Sequence, residues 1–291
     1  MLKGIFVYAR STALRKDNAF DWLIEEAASC GLTLEICFED ECCIEYGPNG
    51  SSISFAGKNM DDVKFVLMRT YNDKISGYYE NKKGIVVIND SKSMRVSRDK
   101  LMTHDVLVHA DLPTPYTVYG PQLGYHEVSA KFGEDRFLVK KNDGCKGEDI
   151  YMINNAEEFN ASINRLKSNC IFQRIIYDSI GRDVRVWVIG EECAGAILRY
   201  SETSFLSNYS QGGRFRPIEL DEQLKNLSVM ATKAVGLDFA GVDLLYCGDS
   251  YVICEVNGNA GFRTISYASE VNIPRVLFKY IHARCISSIN Q

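Results

Sequence analysis

A change of pattern near residue 95 divides this 291-residue chain into two parts that predict different architectures. The first part starts with a short apolar strand, Gly4–Ala9, a helix that opens near Asp17, and a second strand, Leu32–Phe38. Further strands are predicted at Lys64–Met68 and at Ile85–Ile88, and the latter is a continuous apolar run typical of a buried parallel sheet. Such alternation of strands and helices predicts an α/β domain over residues 1–95.

The second part predicts an antiparallel α+β arrangement. A helix over Ser97–Ala110 is followed by Pro113 and Pro115, which end it and begin an extended connector. A helix over Asp221–Val235 precedes a hairpin, Val242–Asn257. Turn-sized gaps separate most of the other short strands, which are expected at Phe137–Lys140, Ile150–Ile153, Ile171–Ile175, Val184–Ile189 and Cys193–Leu198, with helices at Ala156–Leu166 and after Asn272.

Composition argues against several classes of protein. With 33 basic and 38 acidic residues, the net charge of −5 lacks the basic surplus of a nucleic-acid-binding protein. The longest apolar run near the N-terminus, Ile5–Ala9, is too short for a signal peptide or a membrane span, so a cytoplasmic location without membrane partners is expected. Ten cysteines form no Cys-x-x-Cys pair, which predicts reduced thiols rather than a metal site.

Three polar side chains interrupt the apolar C-terminal hairpin. Asp243 lies within one apolar strand, while Glu255 and Asn257 end the other, where burial would be costly without compensation. If Gly248–Ser250 is a three-residue loop, Asp243 lies opposite Glu255, and Asn257 shares their face. Two carboxylates and an amide at one place suit Mg²⁺, which keeps several waters and takes further ligands from phosphates. The alternative is a solvated edge hairpin without a metal.

A glycine-bearing loop follows the strand that ends at Lys140. It runs from Lys141 to Gly147 and contains Gly144. A lysine at the end of a strand, followed by such a loop, can surround phosphates with an ammonium group and backbone N–H groups. The loop lacks the Walker pattern, and similar turns occur in proteins without a ligand, so an ordinary hairpin turn remains an alternative.

Six short motifs follow one another in order along the chain. They are Val139-Lys140-x3-Gly144-x2-Gly147, Phe172-Gln173, Asp183-Val184-Arg185, Asn208-x3-Gly212-Gly213, Ala240-Gly241-Val242-Asp243 and Glu255-Val256-Asn257. Together they resemble the RimK-like glutamate ligases of the ATP-grasp superfamily, over about residues 95 to 285. The segment Ser97–Leu101 also looks like the start of that family's central domain. The N-terminal hundred residues match only in being a short α/β domain.

This resemblance implies an ATP-grasp fold, in which two α+β subdomains sandwich ATP. The expected domains are an N-terminal α/β domain over residues 1–95, a central subdomain over residues 96–180 and a C-terminal subdomain with the metal site over residues 181–291. The implied cofactors are ATP and Mg²⁺, with Mn²⁺ as an alternative metal held by Asp243, Glu255 and Asn257. Residues implied to bind the nucleotide are Lys100, Lys140, Gly144, Gly147, Asp183 (near the ribose) and the adenine-reading hinge Gln173, Arg174, Ile175 and Ile176.

In the reaction that the resemblance implies, ATP phosphorylates a carboxylate, and an amine attacks the acyl phosphate to give an amide. Arg185, Arg199 and Asn208 are the implied catalytic residues. Arg185 could instead face solvent, and Asn208 could belong to an ordinary polar loop. Two other functions stay open: an ATP-grasp kinase that phosphorylates a hydroxyl group, and a nucleotide-binding module without enzymatic activity.

The chain departs from the family just after the expected metal motif. Many members continue with Ala-Ser-Pro-Gly, whereas this chain has Gly258–Arg263 with the sequence Gly-Asn-Ala-Gly-Phe-Arg. That segment borders the substrates in relatives, so the roles of Asn259 and Arg263 stay open and glutamate is not assumed as the amine. The expected partners are a small-molecule or peptide carboxylate and an amino-acid amine. The sequence leaves a homo-oligomer open.

Overall fold

The computed structural model describes residues 1–10, 20–48, 50–144, 149–207 and 213–289. Two compact units form within the chain. The first comprises Met1–Arg95, Leu237–Phe239 and Glu270–Gln291, and the second comprises Val96–Gly236 and Ala240–Ser269. The predicted separation of residues 96–180 from residues 181–291 stays a prediction. Asp17, Gly147, Asn208 and Gly212, named in the sequence analysis, lie outside the described residues.

Most of the predicted elements are present, with small changes at their ends. The strands are β1 (Leu2–Tyr8), β2 (Leu32–Phe38), β3 (Cys42–Gly47), β4 (Gly50–Phe55), β5 (Lys58–Asn59), β6 (Phe65–Arg69), β7 (Val86–Ile88), β8 (Thr117–Val118), β9 (Phe137–Lys141), β10 (Ile150–Ile153), β11 (Cys170–Gln173), β12 (Arg182–Ile189), β13 (Glu192–Tyr200), β14 (Arg214–Ile218), β15 (Phe239–Cys247) and β16 (Ser250–Asn257). The helices are α1 (Phe20–Ser29), α2 (Asp73–Glu80), α3 (Ser91–Arg98), α4 (Lys100–His109), α5 (Tyr125–Phe132), α6 (Ala156–Leu166), α7 (Glu222–Val235), α8 (Arg263–Ala268) and α9 (Ile273–Ile289). Among the described residues, no helix combines the length and the apolar character that crossing a membrane requires.

The first unit is built on a parallel sheet with the strand order β2-β1-β6-β7. Its central strands are buried, as Ile5, Val7 and Val66 illustrate, because a parallel sheet is covered on both faces. The α/β class predicted for this part is therefore confirmed. A second, antiparallel sheet, β3-β4-β5, was not predicted from the sequence.

A half-buried carboxylate lies within the first unit at Asp61. Its Oδ1 accepts hydrogen bonds from Lys82 Nζ at 2.6 Å and from the hydroxyl of Tyr78, and its Oδ2 accepts one from Asn59 Nδ2 at 2.8 Å. Burial alone would raise the pKa of Asp61, but these donors outweigh it and lower the pKa to about 2. The charged form is thus favoured in the folded protein.

Asp61 should make the stability of the protein fall in acid. Its folded-state pKa lies below the ordinary value, so its contribution is present above about pH 4 and is lost as the pH falls toward 2. We expect Asp61→Asn to cost about 2 kcal/mol at pH 7 and much less at pH 2.5. Urea unfolding at both pH values measures this, with Asp21→Asn, at an exposed aspartate of α1, as the control. An equal cost at both pH values would contradict the assignment.

The second unit contains two sheets. One is the sheet β10-β9-β11-β8, whose inner face carries the buried ring cluster Phe137, Phe159 and Phe172. Ring centroids in this cluster are 5.6–6.3 Å apart, within the range of favourable aromatic pairs. Helix α6 covers this face and begins at Asn155, whose side chain accepts a hydrogen bond from Glu158 N.

The other sheet of this unit has five strands, in the order β14-β13-β12-β15-β16. Strand β12 is almost entirely buried and includes the fully buried Trp187. Helix α7 packs on this sheet between two clear end signals. Asp221 caps its first turn, and Gly236, at φ +85°, ends it in a backbone conformation that favours glycine.

One predicted helix is wrong in its extent. Instead of a single helix over Ser97–Ala110, the chain forms α3 and α4 with Asp99 between them. Asp99 has an extended backbone, and its Oδ1 accepts a hydrogen bond from Met102 N at 2.9 Å, so it starts a new helix. The strand predicted to reach Ile175 ends at Gln173. Besides β3–β5, the elements that the sequence analysis missed are α2, α5, α8, β8 and β14.

The β15–β16 hairpin has a shorter loop than predicted. Cys247 pairs with Ser250, so Gly248 and Asp249 alone connect the two strands. Gly248 has φ +59°, which suits a two-residue hairpin turn.

Candidate active site

A β-bulge in β16 restores the register that the shorter loop would otherwise shift. Asp243 pairs with Glu255, whereas the next residue, Leu244, pairs with Ile253, which leaves Cys254 as the extra residue. The shorter loop and the bulge offset each other. Asp243 therefore lies opposite Glu255, as the sequence predicted, although for a different reason.

Two arginines and two aspartates form a buried network on the five-stranded sheet. Arg185 donates from Nε and Nη2 to the two carboxylate oxygens of Asp243, both at 2.6 Å. Arg199 Nη2 lies 3.0 Å from Asp243 Oδ2, and its Nε donates to Asp183 Oδ1 at 2.7 Å. Asp183 and Arg199 are directly opposed on β12 and β13. Arg199, Asp183 and Asp243 are all buried, so the four charges compensate one another away from water.

The network favours the charged forms of Asp243 and Arg199. Burial would raise the pKa of Asp243, but the charges of Arg185 and Arg199 reverse that effect and lower it. Burial would likewise lower the pKa of Arg199, but Asp243 and Asp183 raise it above its ordinary value. A network of fixed donors in a low-dielectric region is an arrangement that can stabilise developing negative charge.

The three predicted metal ligands lie together. Asn257 Nδ2 is 3.4 Å from Asp243 Oδ2 and 3.3 Å from Glu255 Oε2, and Glu255 Oε1 is 3.4 Å from Lys100 Nζ. Their donor chemistry fits Mg²⁺, because carboxylate and amide oxygens are hard ligands. Glu255 and Asn257 are only partly buried and can meet an ion, whereas both oxygens of Asp243 already accept from arginine. Among the described residues, no three His, Cys, Asp or Glu side chains gather as a metal cluster.

Lys140 lies at the centre of a second buried polar cluster. Its Nζ donates to Gln173 Oε1 at 2.5 Å and lies 3.6 Å from Cys254 Sγ. The amide nitrogen of Gln173 in turn lies 3.0 Å from Thr117 Oγ1 and 3.0 Å from His104 Nε2. Burial, followed by the charges of Lys140 and Lys100, lowers the pKa of His104 to about 4. His104 is therefore neutral at physiological pH.

The other residues predicted to bind the nucleotide lie at the start of α4, in the glycine loop and in the hinge segment. Lys100 Nζ donates to the carbonyl of Gly144 at 2.6 Å, which joins the start of α4 to the glycine loop. In the hinge segment, Arg174 N donates to Tyr116 O at 2.9 Å, Ile175 is buried, and Ile176 is partly buried. Gln173 is buried, with its side chain directed to Lys140.

The segment after the metal motif is fixed against the sheet. Trp187 Nε1 donates to the carbonyl of Gly261 at 3.0 Å, and Ala260 is buried. A Cβ added to Gly241 would lie 2.5 Å from that of Ala260, so glycine is what lets the segment pack this closely. The stretch Gly258–Arg263 is therefore held against the sheet at two points, Ala260 and Gly261.

Sequence reasoning missed several members of the site. His104, Thr117 and Cys254 were not predicted to contact site residues. No motif marks them, since their contacts join positions 56 to 114 residues apart in the chain. A polar histidine on the buried face of a predicted helix was the only available signal.

Comparison with known proteins gives a consistent result. A family model described as the RimK-like ATP-grasp domain matches residues 97–281. The chain is 26% identical over 274 residues to a probable alpha-L-glutamate ligase of Parasynechococcus marenigrum, covering 90% of this chain and 59% of that protein. It is 29% identical over 217 residues to a protein of the same name in Haemophilus ducreyi, covering 72% of this chain and 70% of that protein.

Solved structures with the same fold include the ATP-grasp ligase PsnB in complex with a minimal precursor. It has a TM-score of 0.73 and 23% identity, and the match covers 98% of this chain and 99% of that one. D-cycloserine synthetase DcsG gives a TM-score of 0.72 at 16% identity, covering 97% of this chain and 99% of that one. These matches confirm the predicted ATP-grasp fold, and the relatives' names agree with the predicted class of enzyme, a ligase.

Proposed function

The chain belongs to the RimK-like ATP-grasp family, and from this we propose that it is an ATP-dependent carboxylate–amine ligase. In the proposed reaction, the γ-phosphoryl group of ATP passes to a carboxylate, and an amine then displaces phosphate to form an amide, with ADP as the other product. The observation that carries the proposal is the charge-balanced network of Arg185, Arg199, Asp183 and Asp243 beside Glu255 and Asn257.

We assign nucleotide binding to the lysines, the glycine loop and the hinge. Lys140 and Lys100 would contact phosphate oxygens, and the loop from Gly144 to Gly147 would cover them with backbone N–H groups. The segment from Gln173 to Ile176 would contact adenine through its backbone. Asp183 would lie near the ribose only if its pairing with Arg199 opened, because both of its carboxylate oxygens accept from that arginine.

Glu255 and Asn257 would hold Mg²⁺. Asp243 would either hold the side chains of Arg185 and Arg199 in place or supply one further oxygen to the ion. Bound Mg²⁺, with Mn²⁺ as an alternative, would neutralise the charge of the phosphates. Lys100 lies 3.4 Å from Glu255 and would hold that carboxylate in place. The support for this assignment is the donor set and the partial exposure of both side chains.

Arg185 is the residue that we assign to the reaction itself, with Arg199 behind it. Part of the Arg185 side chain, 19%, remains exposed, so the guanidinium can meet a substrate while it holds Asp243. Its planar donor fork suits a carboxylate or phosphoryl oxygens. Arg199 is buried and would act mainly on Asp183 and Asp243. Asn208 would join the substrate side.

Replacement of Arg185 should separate turnover from nucleotide binding. Arg185→Ala should lower the rate of ADP release by at least about 100-fold, as expected for losing one preorganised donor, with little change in ATP affinity. Asp243 keeps Arg199, so the fold should survive. Arg185→Lys should restore part of the rate. The exposed Arg182→Ala on the same strand is the control, and normal turnover by Arg185→Ala would remove Arg185 from the active site.

For the substrates, we propose an amino acid, glutamate or a similar one, as the amine and a peptide or small-molecule carboxylate as its acceptor. Relatives are named probable alpha-L-glutamate ligases, and PsnB was solved with a precursor peptide. The anchored segment Gly258–Arg263 would line the acceptor side. We also propose a cytoplasmic location, since the described cysteines are all free thiols.

A substrate screen tests this function. ADP release is measured over amino acids combined with candidate acids and peptides, and products are identified by mass spectrometry. We expect ADP release that requires both an acid and an amine and that accompanies an amide product. Release of ADP with a hydroxyl compound alone, giving a phosphate ester, would show a kinase instead.

A further inference from the structure

Lys140, the proposed phosphate-binding lysine, depends on a neighbouring amide for its orientation. Gln173 presents its oxygen to Lys140 Nζ at 2.5 Å, and each hydrogen of its amide nitrogen has an acceptor: Thr117 Oγ1 and His104 Nε2, both at 3.0 Å. An amide can also be turned by half a rotation, which would exchange its oxygen and nitrogen. In that orientation an N–H group would face the lysine ammonium, and both groups are donors.

His104 stabilises the orientation that Lys140 needs. Its Nε2 can accept from Gln173 only in the neutral tautomer that carries the proton on Nδ1. Nδ1 is buried and has no hydrogen-bond partner among the described residues. An unpaired buried polar atom costs free energy. In this tautomer the cost falls on Nδ1, while Nε2 gains the hydrogen bond from Gln173.

Charge favours the same form of His104. Burial lowers the pKa of His104 most, and the positive charges of Lys140 and Lys100 lower it further. A protonated ring would turn Nε2 into a donor and place a third positive charge beside these two lysines. The acceptor at Nε2 is therefore preserved over the pH range in which the protein is expected to work.

We propose that His104 is a positioning residue for nucleotide binding, acting through Gln173 to direct the ammonium group of Lys140 toward the phosphates. This inference rests on the proposed function, since it assumes that Lys140 meets ATP. His104 itself touches no substrate. Its effect should appear in nucleotide affinity and should disappear when Lys140 is absent.

Two substitutions separate this role from simple packing. His104→Leu fills a similar space but offers no acceptor, and we expect it to raise the dissociation constant of ATP up to about tenfold, the upper end of the range for one hydrogen bond between neutral groups. His104→Gln can offer its amide oxygen to Gln173 and should stay within about threefold of the wild type. Calorimetry with Mg-ATP measures both. The matched control is His109→Leu, on the exposed side of the same helix, which should bind as the wild type does.

A double-mutant cycle gives the decisive result. In a Lys140→Met background, His104→Leu should change ATP affinity by less than twofold, because the group that it orients is gone. Thr117→Val removes the other acceptor of Gln173 with almost no change in shape, so it provides a second test if His104→Leu fails to fold. It should weaken ATP binding in the wild type and not in Lys140→Met.

The outcomes distinguish this inference from the proposed function. The positioning role is wrong, and the ligase proposal stands, if the wild type binds and hydrolyses ATP and either of two results is found. One is that His104→Leu or Thr117→Val binds ATP with normal affinity. The other is that these substitutions weaken ATP binding as much in the Lys140→Met background as in the wild type. If the variants show the expected coupling but no acid and amine give an amide, the ligase proposal fails alone. If the wild type does not bind ATP, both fail.

Discussion

Glu255→Gln should lower the rate of ADP release by about 10²–10³-fold, the loss expected when a preorganised charge in an active site is removed. The substitution keeps the shape of the side chain but removes the negative charge that would hold Mg²⁺ near the phosphates. Glu255 is 27% exposed and lies near Lys100 and Asn257, outside the arginine network. The fold should therefore tolerate the change.

The measurement is steady-state ADP release over a range of Mg²⁺ concentrations, with thermal unfolding on the same preparation. High Mg²⁺ should recover part of the lost rate if affinity for the ion is what falls. Glu192→Gln, an exposed glutamate on strand β13 of the same sheet, is the matched control and should behave as the wild type does. Near-normal release by Glu255→Gln at low Mg²⁺ would contradict the metal assignment.

Arg199→Ala should reduce the free energy of unfolding by about 3–5 kcal/mol, the cost of leaving buried charges without a partner. Arg199 is 5% exposed and lies within hydrogen-bond distance of both Asp183 and Asp243. Removing it leaves two buried carboxylates with only Arg185 to compensate them. The unfolding free energy from urea titration is the quantity to compare.

Its control is Arg214→Ala on the adjacent strand β14, whose side chain is 70% exposed and whose loss should cost well under 1 kcal/mol. Arg199→Lys should recover part of the stability, because a single ammonium cannot reproduce both paired contacts. A cost below about 1 kcal/mol for Arg199→Ala would mean that water already reaches Asp183 and Asp243.

The sequence predicted those parts of the fold that depend on local pattern. Apolar runs located the buried strands β1, β6 and β12, and the predicted ranges of α6 and α7 agree with the structure to within one residue. The break between α3 and α4 was also readable, since an aspartate is a common first residue before a helix and Asp99 stands in the polar stretch Ser97–Lys100.

The site was predictable as a set of residues but not as a set of contacts. Ordered motifs brought Lys140, Asp243, Glu255 and Asn257 into one hypothesis, and the structure brings the last three together. The pairing of Arg185 with Asp243 joins positions 58 residues apart, which no spacing rule reveals. The bulge at Cys254 is equally hidden, because it depends on the partner strand.

The pairing changes what a substitution at Asp243 can test. From the sequence alone, Asp243→Asn and Glu255→Gln are equivalent ways to remove a metal ligand. In the structure, Asp243 is the carboxylate that Arg185 and Arg199 share. Its neutralisation would therefore lower the stability of the fold as well as any affinity for the metal ion. Glu255 is therefore the cleaner probe of the metal.

The central claim is that the reaction passes through an acyl phosphate, and trapping with hydroxylamine tests it most directly. The protein is incubated with Mg-ATP and the acid that supports the fastest ADP release, with hydroxylamine in place of the amine. We predict a hydroxamate of that acid in equal amount to the ADP formed, and formation at least about 100-fold slower with Arg185→Ala. ADP formed without hydroxamate, together with a phosphorylated hydroxyl group in the product, would contradict the ligase assignment.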